Sequence, residues 1–306
     1  MSDPDLPSAS ARGKPLRGVR VLSLALNLPG PAALLRLQNM GARCLKFEPP
    51  APAGAPAISS ADPMSQYSAS AYASLHQGIK RVEVDLKSQR GQTRLQRELA
   101  RTDVLLTSFR PAALARLGLA PQALRQRYPA LSVVAIVGAP GARANQPGHD
   151  LTYLAQADLV PGLDLPATLF SDMAGALLAS EAVLQAVLRQ KTRGKNSFHQ
   201  VALSAAADWL ALPRRWGLTL SHNILGGAHA GYRVYPCQDG RVALAALEPH
   251  FAAALCAVAG LPAPAAKAMW QADMHTAVAA FLASKTRQQI DALAARHDLP
   301  LHVLPA

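Results

Sequence analysis

The sequence contains no apolar run approaching the 18 or more residues that span a bilayer, and Met1 to Leu16 lacks the apolar core of a signal peptide. No membrane partner is expected, and a cytoplasmic protein is. The three cysteines, Cys44, Cys237 and Cys256, show no CxxC spacing, which argues against a zinc site or a disulfide framework and leaves them as small apolar residues. No GxGxxG follows a strand, so a resident nicotinamide or flavin is not expected. Internal repeats are lacking, as are zinc-finger and RNA-binding signatures. Acidic residues are few, 19 against 31 Lys and Arg, for a formal charge of +12. A field of that sign gathers polyanions. The basic residues are scattered, however, and Arg90, Arg94, Arg97 and Arg101 recur at helical spacing, as on a solvated helix face. Nucleic acid is therefore not the expected partner; a small polyanionic ligand is.

The 306 residues, half of them hydrophobic, suffice for one large and one small core. Met1 to Pro15 is polar and reads as frayed. Val19 to Ala25 reads as a strand, Pro29-Gly30-Pro31 opens a helix with Pro31 at its first position and Gly41 closing it, and Arg43 to Phe47 is the next strand. Further strands are expected at Val82 to Leu86, Val104 to Ser108, Leu131 to Val137 and Phe198 to Leu203. Helices are expected at Arg90 to Ala100, after Pro111 and Pro121, and from Met173 to Leu188. Ala51 to Ser70, rich in Ala, Pro and Ser, reads as a mobile loop, and Gln190 to Ser197 as a basic turn. Strand and helix in alternation predict an α/β fold with a Rossmann-like parallel sheet. Beyond it the pattern turns antiparallel: Tyr232 to Tyr235 and Val242 to Leu247 flank Asp239-Gly240 as a hairpin, followed by helices at Pro249 to Gly260, Lys267 to Ser284 and Arg287 to His297. The expected division is a large domain over 1–205 and a linker plus small α+β domain over 206–306.

Gly148-His149-Asp150-Leu151-Thr152-Tyr153 sets an imidazole and a carboxylate at a loop-to-helix junction, in the loop after the fifth expected strand. Ligands of open α/β sheets bind outside the carboxyl ends of strands, so His149 is delivered to the expected rim. Asp150 reads as the N-cap or a first-turn residue of the helix that follows, and Gly148, without a Cβ, leaves room for a ligand near the backbone. Asp172 heads the long apolar helix, where the dipole favours its charged form. Glu248 opens another helix in Leu247-Glu248-Pro249-His250-Phe251, and Glu48 ends the second strand, where such folds often place a ribose-binding acid.

These segments, together with Ser171-Asp172-Met173-Ala174-Gly175, resemble in order and setting the catalytic segments of the family III CoA-transferase superfamily, the carnitine dehydratase and bile-acid-inducible type, and most of all its 2-methylacyl-CoA racemase branch. Val19 to Glu48, Lys80-Arg81, Val84-Asp85-Leu86-Lys87, Asp103 to Leu106 with Phe109-Arg110-Pro111, Leu117-Gly118-Leu119 and Asn223 with Gly226-Gly227 extend the resemblance over Leu16 to Leu304.

The resemblance implies an acyl-CoA enzyme with coenzyme A thioester as substrate and no permanently bound cofactor. His149, Asp172 and Glu248 would be catalytic. Val84, Asp85, Leu86, Lys87, Gly148, Asp150, Leu151, Thr152 and Tyr153 would bind substrate and CoA. A racemase would invert the 2-methyl centre by proton transfer from two faces, with Asp172 and Glu248 titrating as a pair if close. A transferase would instead pass CoA through an aspartyl thioester at Asp172. Pro49-Pro50 stands where the family carries a base, the loop from Gly138 to Ala142 is short, and the family's usual C-terminal return is missing before Ala306. A catalytically degenerate CoA-binding relative is the third expectation. Family members resemble interlocked homodimers, and a homodimer is expected here, with Trp209, Leu212 and Trp216 as a stripe of core or interface.

Overall fold

The computed structural model describes residues 13–51, 60–265 and 267–306. The chain divides into two compact units, Met1–Ala211 and Leu212–Ala306, against an expected boundary between 205 and 206.

The first unit is built on six parallel strands: β1 (Arg20–Ser23), β2 (Arg43–Glu48), β3 (Lys80–Glu83), β4 (Val104–Thr107), β5 (Ser132–Val137) and β6 (Phe198–Ala202). Their spatial order is β3-β2-β1-β4-β5-β6, the doubly wound arrangement that reverses direction between β1 and β4. Central strands β4 and β5 are buried along their whole length, which is why they read as apolar runs without alternation. One face is covered by helices Pro29–Asn39 and Phe170–Arg193, which pack with β4, β5 and β6 into a core that includes Leu34, Leu37, Leu106 and Leu154. The other face holds Leu22, Leu24, Leu95, Leu99 and Leu105. Each fully buried leucine contributes about 1.5–3 kcal/mol of transfer free energy, so both faces are strongly specified. Arg90, Arg94, Arg97 and Arg101 are exposed on or just beyond the helix Gln89–Leu99, as expected.

The helix Phe170–Arg193 is the one described helix long and apolar enough to cross a membrane. Sequence reading found no such run. Half of its most apolar window is buried within the protein, with Ala179, Val183 and Ala186 inside the first unit's core, while Met173, Leu177 and Leu188 stay exposed. It also runs through the first half of the expected basic turn, ending only at Gly194, whose φ of 62° stops the helix in the left-handed region.

Three further expectations are corrected. Of the loop expected over Ala51 to Ser70, residues 52–59 lie outside those described, as do residues 1–12 of the expected frayed N-terminus, but Pro63–Tyr67 and Ala69–Leu75 are helices. The Asp62 and Ser68 side chains accept N-terminal backbone N–H groups of these helices. The third strand ends at Glu83 because its register with β2 closes at Glu48 opposite Glu83; Val84 to Lys87 leave the sheet in a turn around Asp85. In the second unit, the hairpin of β7 (Tyr232–Cys237) and β8 (Gly240–Ala245) gains an unexpected third strand, β9 (Leu301–Pro305), antiparallel to β8. Helices Pro249–Val258, Ala272–Ala283 and Arg287–His297 complete that unit around Val242, Leu255, Val278 and Ile290.

Candidate active site

A cleft of about 190 Å³ opens at the carboxyl ends of β1, β4 and β5, at the point where the strand order reverses. Its wall includes Asn27, Ser108, Arg110, Gly138, Gly148, His149, Tyr153 and Asp172. His149 and Asp172 thus share a wall although they come from different helices.

His149 is the N-cap of the helix Asp150–Gln156, and Asp150 takes the first-turn place, one of the two expected for it. Its backbone N–H donates to Thr152 Oγ1 at 3.1 Å, and that hydroxyl donates to the His149 carbonyl at 2.7 Å, which fixes the backbone and leaves the ring exposed. Asp150 is turned inward and only 4% exposed. Its Oδ1 accepts the Asp172 backbone N–H at 2.9 Å, so it caps the long helix and not its own. Leu151 and Thr152 are exposed and lie outside the cleft wall.

Asp172 follows Ser171, whose buried hydroxyl donates to the Leu203 carbonyl at 2.8 Å. Gly175, one turn on, passes Leu203 so closely that a Cβ would overlap its side chain. Burial, and secondarily the negative charge of Asp150, push the Asp172 carboxyl up to about 7. The sequence had pointed to the opposite, a carboxylate favoured by the helix dipole. That dipole is worth up to about 2 kcal/mol at a partly buried helix end, roughly 1.5 pKa units, and desolvation outweighs it. Burial likewise raises the Asp150 carboxyl, against the Asp172 and Ser171 backbone N–H groups.

Tyr153 is 5% exposed, and its ring lies against Gly138 and Gly148: a Cβ at either position would overlap the phenol. The room at Gly148 that sequence reading assigned to a ligand is taken by this ring. Burial raises the Tyr153 phenol, Asp172 raises it further, and Arg110 opposes both.

A second cavity in the first unit, about 540 Å³, is lined by Phe47, Pro49, Val84, Asp85, Leu86, Lys87, Phe109 and Arg116. The four expected CoA-binding positions Val84 to Lys87 all face it. The two cavities share one segment, with Ser108 and Arg110 on the small cleft and Phe109 on the large one. Glu248 belongs to the second unit, where it is exposed and N-caps the helix Pro249–Val258 without a side-chain cap hydrogen bond. Within the first unit, the carboxylate beside Asp172 is Asp150.

Sequence reading named no functional part for Asn27, Ser108 or Arg110. Their signal was positional: each follows a strand at the carboxyl edge of the sheet. Among the described residues one group has the make-up of a metal site, Glu48, Asp62 and His76. The space between them is filled by the Lys46 ammonium, at 2.8 Å from Glu48, 2.5 Å from Asp62 and 2.8 Å from His76. Glu48 is 7% exposed, bonded also to Ser60 and Tyr72, and lines the larger cavity.

Fold and cleft define a doubly wound α/β protein with a carboxyl group of raised pKa and an imidazole at the sheet's switch point. The chain belongs to CoA-transferase family III, whose sequence profile it matches over residues 16–305. It is 34% identical to the probable fatty acyl-CoA transferase Rv3272 of Mycobacterium tuberculosis over 62% of this chain and 50% of that one. With the alpha-methylacyl-CoA racemase of Mus musculus it shares 28% identity over 90% of this chain and 73% of that one. The crystal structure of Rv3272 aligns with a TM-score of 0.81 and 26% identity, over 96% of this chain and 86% of that one. The chain therefore spans half the length of the first curated relative and about three quarters of the second.

Proposed function

We propose that the chain acts on an acyl-CoA thioester and inverts its 2-methyl centre by two-base proton transfer, with His149 and Asp172 as the two bases. The observation that carries this reading is their place on one cleft wall, with Asp172 held at about 7. A group titrating there is present in both protonation states near neutrality, as an acid and a base exchanging roles require. The α-proton of a thioester is far less acidic than either group. The developing enolate oxygen must therefore be met by a donor, for which Arg110 on the cleft wall is available. The nucleotide end of CoA fits the larger cavity, where Lys87 and Arg116 can meet its phosphates and Phe47 and Phe109 its base. No resident cofactor or metal enters the scheme.

A second reading is CoA transfer through an aspartyl thioester at Asp172. It is favoured by the 34% identity to Rv3272, a probable fatty acyl-CoA transferase, but it needs an ionised Asp172, which burial and Asp150 both disfavour. Incubation with 2-methylacyl-CoA in heavy water, beside a CoA-exchange assay with free acids, separates the readings. Deuterium at the α-carbon without transfer supports inversion. Transfer with a hydroxylamine-sensitive adduct at Asp172 supports the second reading, and CoA binding with neither reaction means a binding relative. Glu248 enters through its own variant: unchanged exchange in Glu248→Gln removes it from the chemistry.

The assembly we propose is a cytoplasmic homodimer. Trp209 and Trp216 are 69% and 66% exposed, and Leu163 and Leu165 are also exposed, apolar side chains that a second copy would cover. Sedimentation over a wide concentration range tests it, and a stable folded monomer refutes it.

A further inference from the structure

Four ionisable groups of the first unit are buried together away from the cleft: Lys46 and Asp62 at 0% exposure, His76 at 5% and Glu48 at 7%. Burying such groups costs several kcal/mol per ion unless every donor and acceptor is matched. Here the match is complete on the lysine. Its three N–H bonds reach Asp62 Oδ2, Glu48 Oε1 and His76 Nε2, and His76 Nδ1 donates to the Tyr72 carbonyl at 2.7 Å. The other oxygen of Asp62 leaves this cluster. Oδ1 accepts the Met64 N–H at 3.1 Å and, 35 positions back in the chain, the Asn27 N–H at 3.0 Å.

Asn27 lies on the wall that also carries Asp172, and its φ of 64° is left-handed. A non-glycine residue holds that conformation only where its surroundings over-determine it. Two acceptors from distant segments do so here: Ser108 Oγ takes the Leu26 N–H at 2.9 Å and Asp62 takes the next one. Lys46 in turn fixes the Asp62 carboxylate. The chain of contacts runs from a lysine sealed in the interior to the backbone of the cleft wall, and none of its members but Asn27 lines the cleft.

We infer that Asp62, fixed by Lys46, is a positioning residue for the reaction at Asp172: it holds the Asn27 turn in the shape the cleft requires without touching substrate. This deepens the acyl-CoA reading and rests on it. The pair would act on turnover more than on substrate binding, because the larger cavity does not include Asp62 or Asn27.

The test compares Asp62→Leu, which removes both acceptors, with Asp62→Asn, whose single oxygen can serve Lys46 or the Asn27 N–H but not both, and with His76→Gln, which touches Lys46 but not Asn27. Expected are a loss of at least about 10-fold in kcat for Asp62→Leu with KM within about 3-fold, a smaller loss for Asp62→Asn, and kcat within about 3-fold of wild type for His76→Gln. Hydrogen exchange at the Asn27 amide should accelerate by at least about 10-fold in Asp62→Leu alone. Equal losses in all three variants, a KM effect in place of a kcat effect, or an unchanged Asn27 amide would overturn the inference. Should Asp62→Leu not fold, the wild type still decides, since an Asn27 amide exchanging as fast as a free peptide contradicts the inference and a protected one supports it. If the wild type turns over no acyl-CoA, the functional reading fails by itself, and amide exchange still shows whether Asp62 holds the turn.

Discussion

The Asp172 backbone N–H donates to Asp150 Oδ1 at 2.9 Å, across 22 positions of sequence. One bond thus ties the helix that carries the acid to the helix that follows His149. It also brings a second carboxylate to the first, and the charge adds to burial in raising Asp172. Asp150→Asn keeps the accepting oxygen and removes the charge. Because burial is the larger cause, the Asp172 pKa should fall by less than about one unit. The acid limb of the pH dependence of kcat should move down by the same amount, with the maximum rate within about 3-fold. An unmoved limb would assign that limb to another group.

Asp172 also sets a stability trend. Its folded-state pKa of about 7 lies above the 3.8 ordinary for an aspartate, so the folded state binds the proton more tightly than the unfolded state. The stability this lends is full below about 4 and is lost as the pH rises through 7. Asp172→Asn removes the dependence. The variant should therefore melt above wild type at pH 8, by a few degrees, about what 1 kcal/mol brings in a chain of this size, and the difference should shrink as the pH falls toward 4. A gap that widens on acidification would contradict the assignment.

Tyr153 gives a steric test. A Cβ at Gly138 would overlap the phenolic oxygen but stay 3.2 Å from Cζ, whereas one at Gly148 would also come within 2.6 Å of the ring carbon Cε1. Each Gly→Ala variant should lose about 1–3 kcal/mol through overpacking. Tyr153→Phe should rescue Gly138→Ala and leave Gly148→Ala impaired. Thermal melts of the two double variants read this directly, and equal rescue would misplace the ring.

His76 governs acid sensitivity. Burial first, and the charge of Lys46 second, push its imidazole down to about 4. A base with a depressed folded-state pKa contributes stability that is full above about 6.5 and lost as the pH falls toward 4. His76→Gln should flatten the decline of melting temperature between pH 6.5 and 4. A decline as steep as wild type would place the sensitivity elsewhere.

Much of this was legible in sequence because the signals were local. Pro29-Gly30-Pro31, the apolar run Ser132 to Val137 and Asp239-Gly240 each fix an element by backbone preference or burial. Asp172 and His149 were legible because each sits where a helix meets the rim of the sheet. What escaped depends on contacts between distant segments. The titration of Asp172 is set by burial and by Asp150, and neither can be read from a helix N-terminus taken alone. Gly148 looked like room for a ligand because the ring that fills it comes from a side chain five residues later in the chain, folded back. Lys46, Asp62 and Asn27 are joined by hydrogen bonds that no spacing encodes. The shift of β3 by a few residues came from its pairing with β2, which ends at Glu48.

The most direct test of the central claim is the fate of the α-hydrogen when 2-methylacyl-CoA is incubated with the protein in heavy water. The account predicts deuterium at the α-carbon of the recovered thioester, with inversion, and a loss of inversion of at least about 100-fold in both His149→Ala and Asp172→Asn while CoA still binds. A thioester recovered without deuterium from the wild type, or undiminished inversion in both variants, would contradict it.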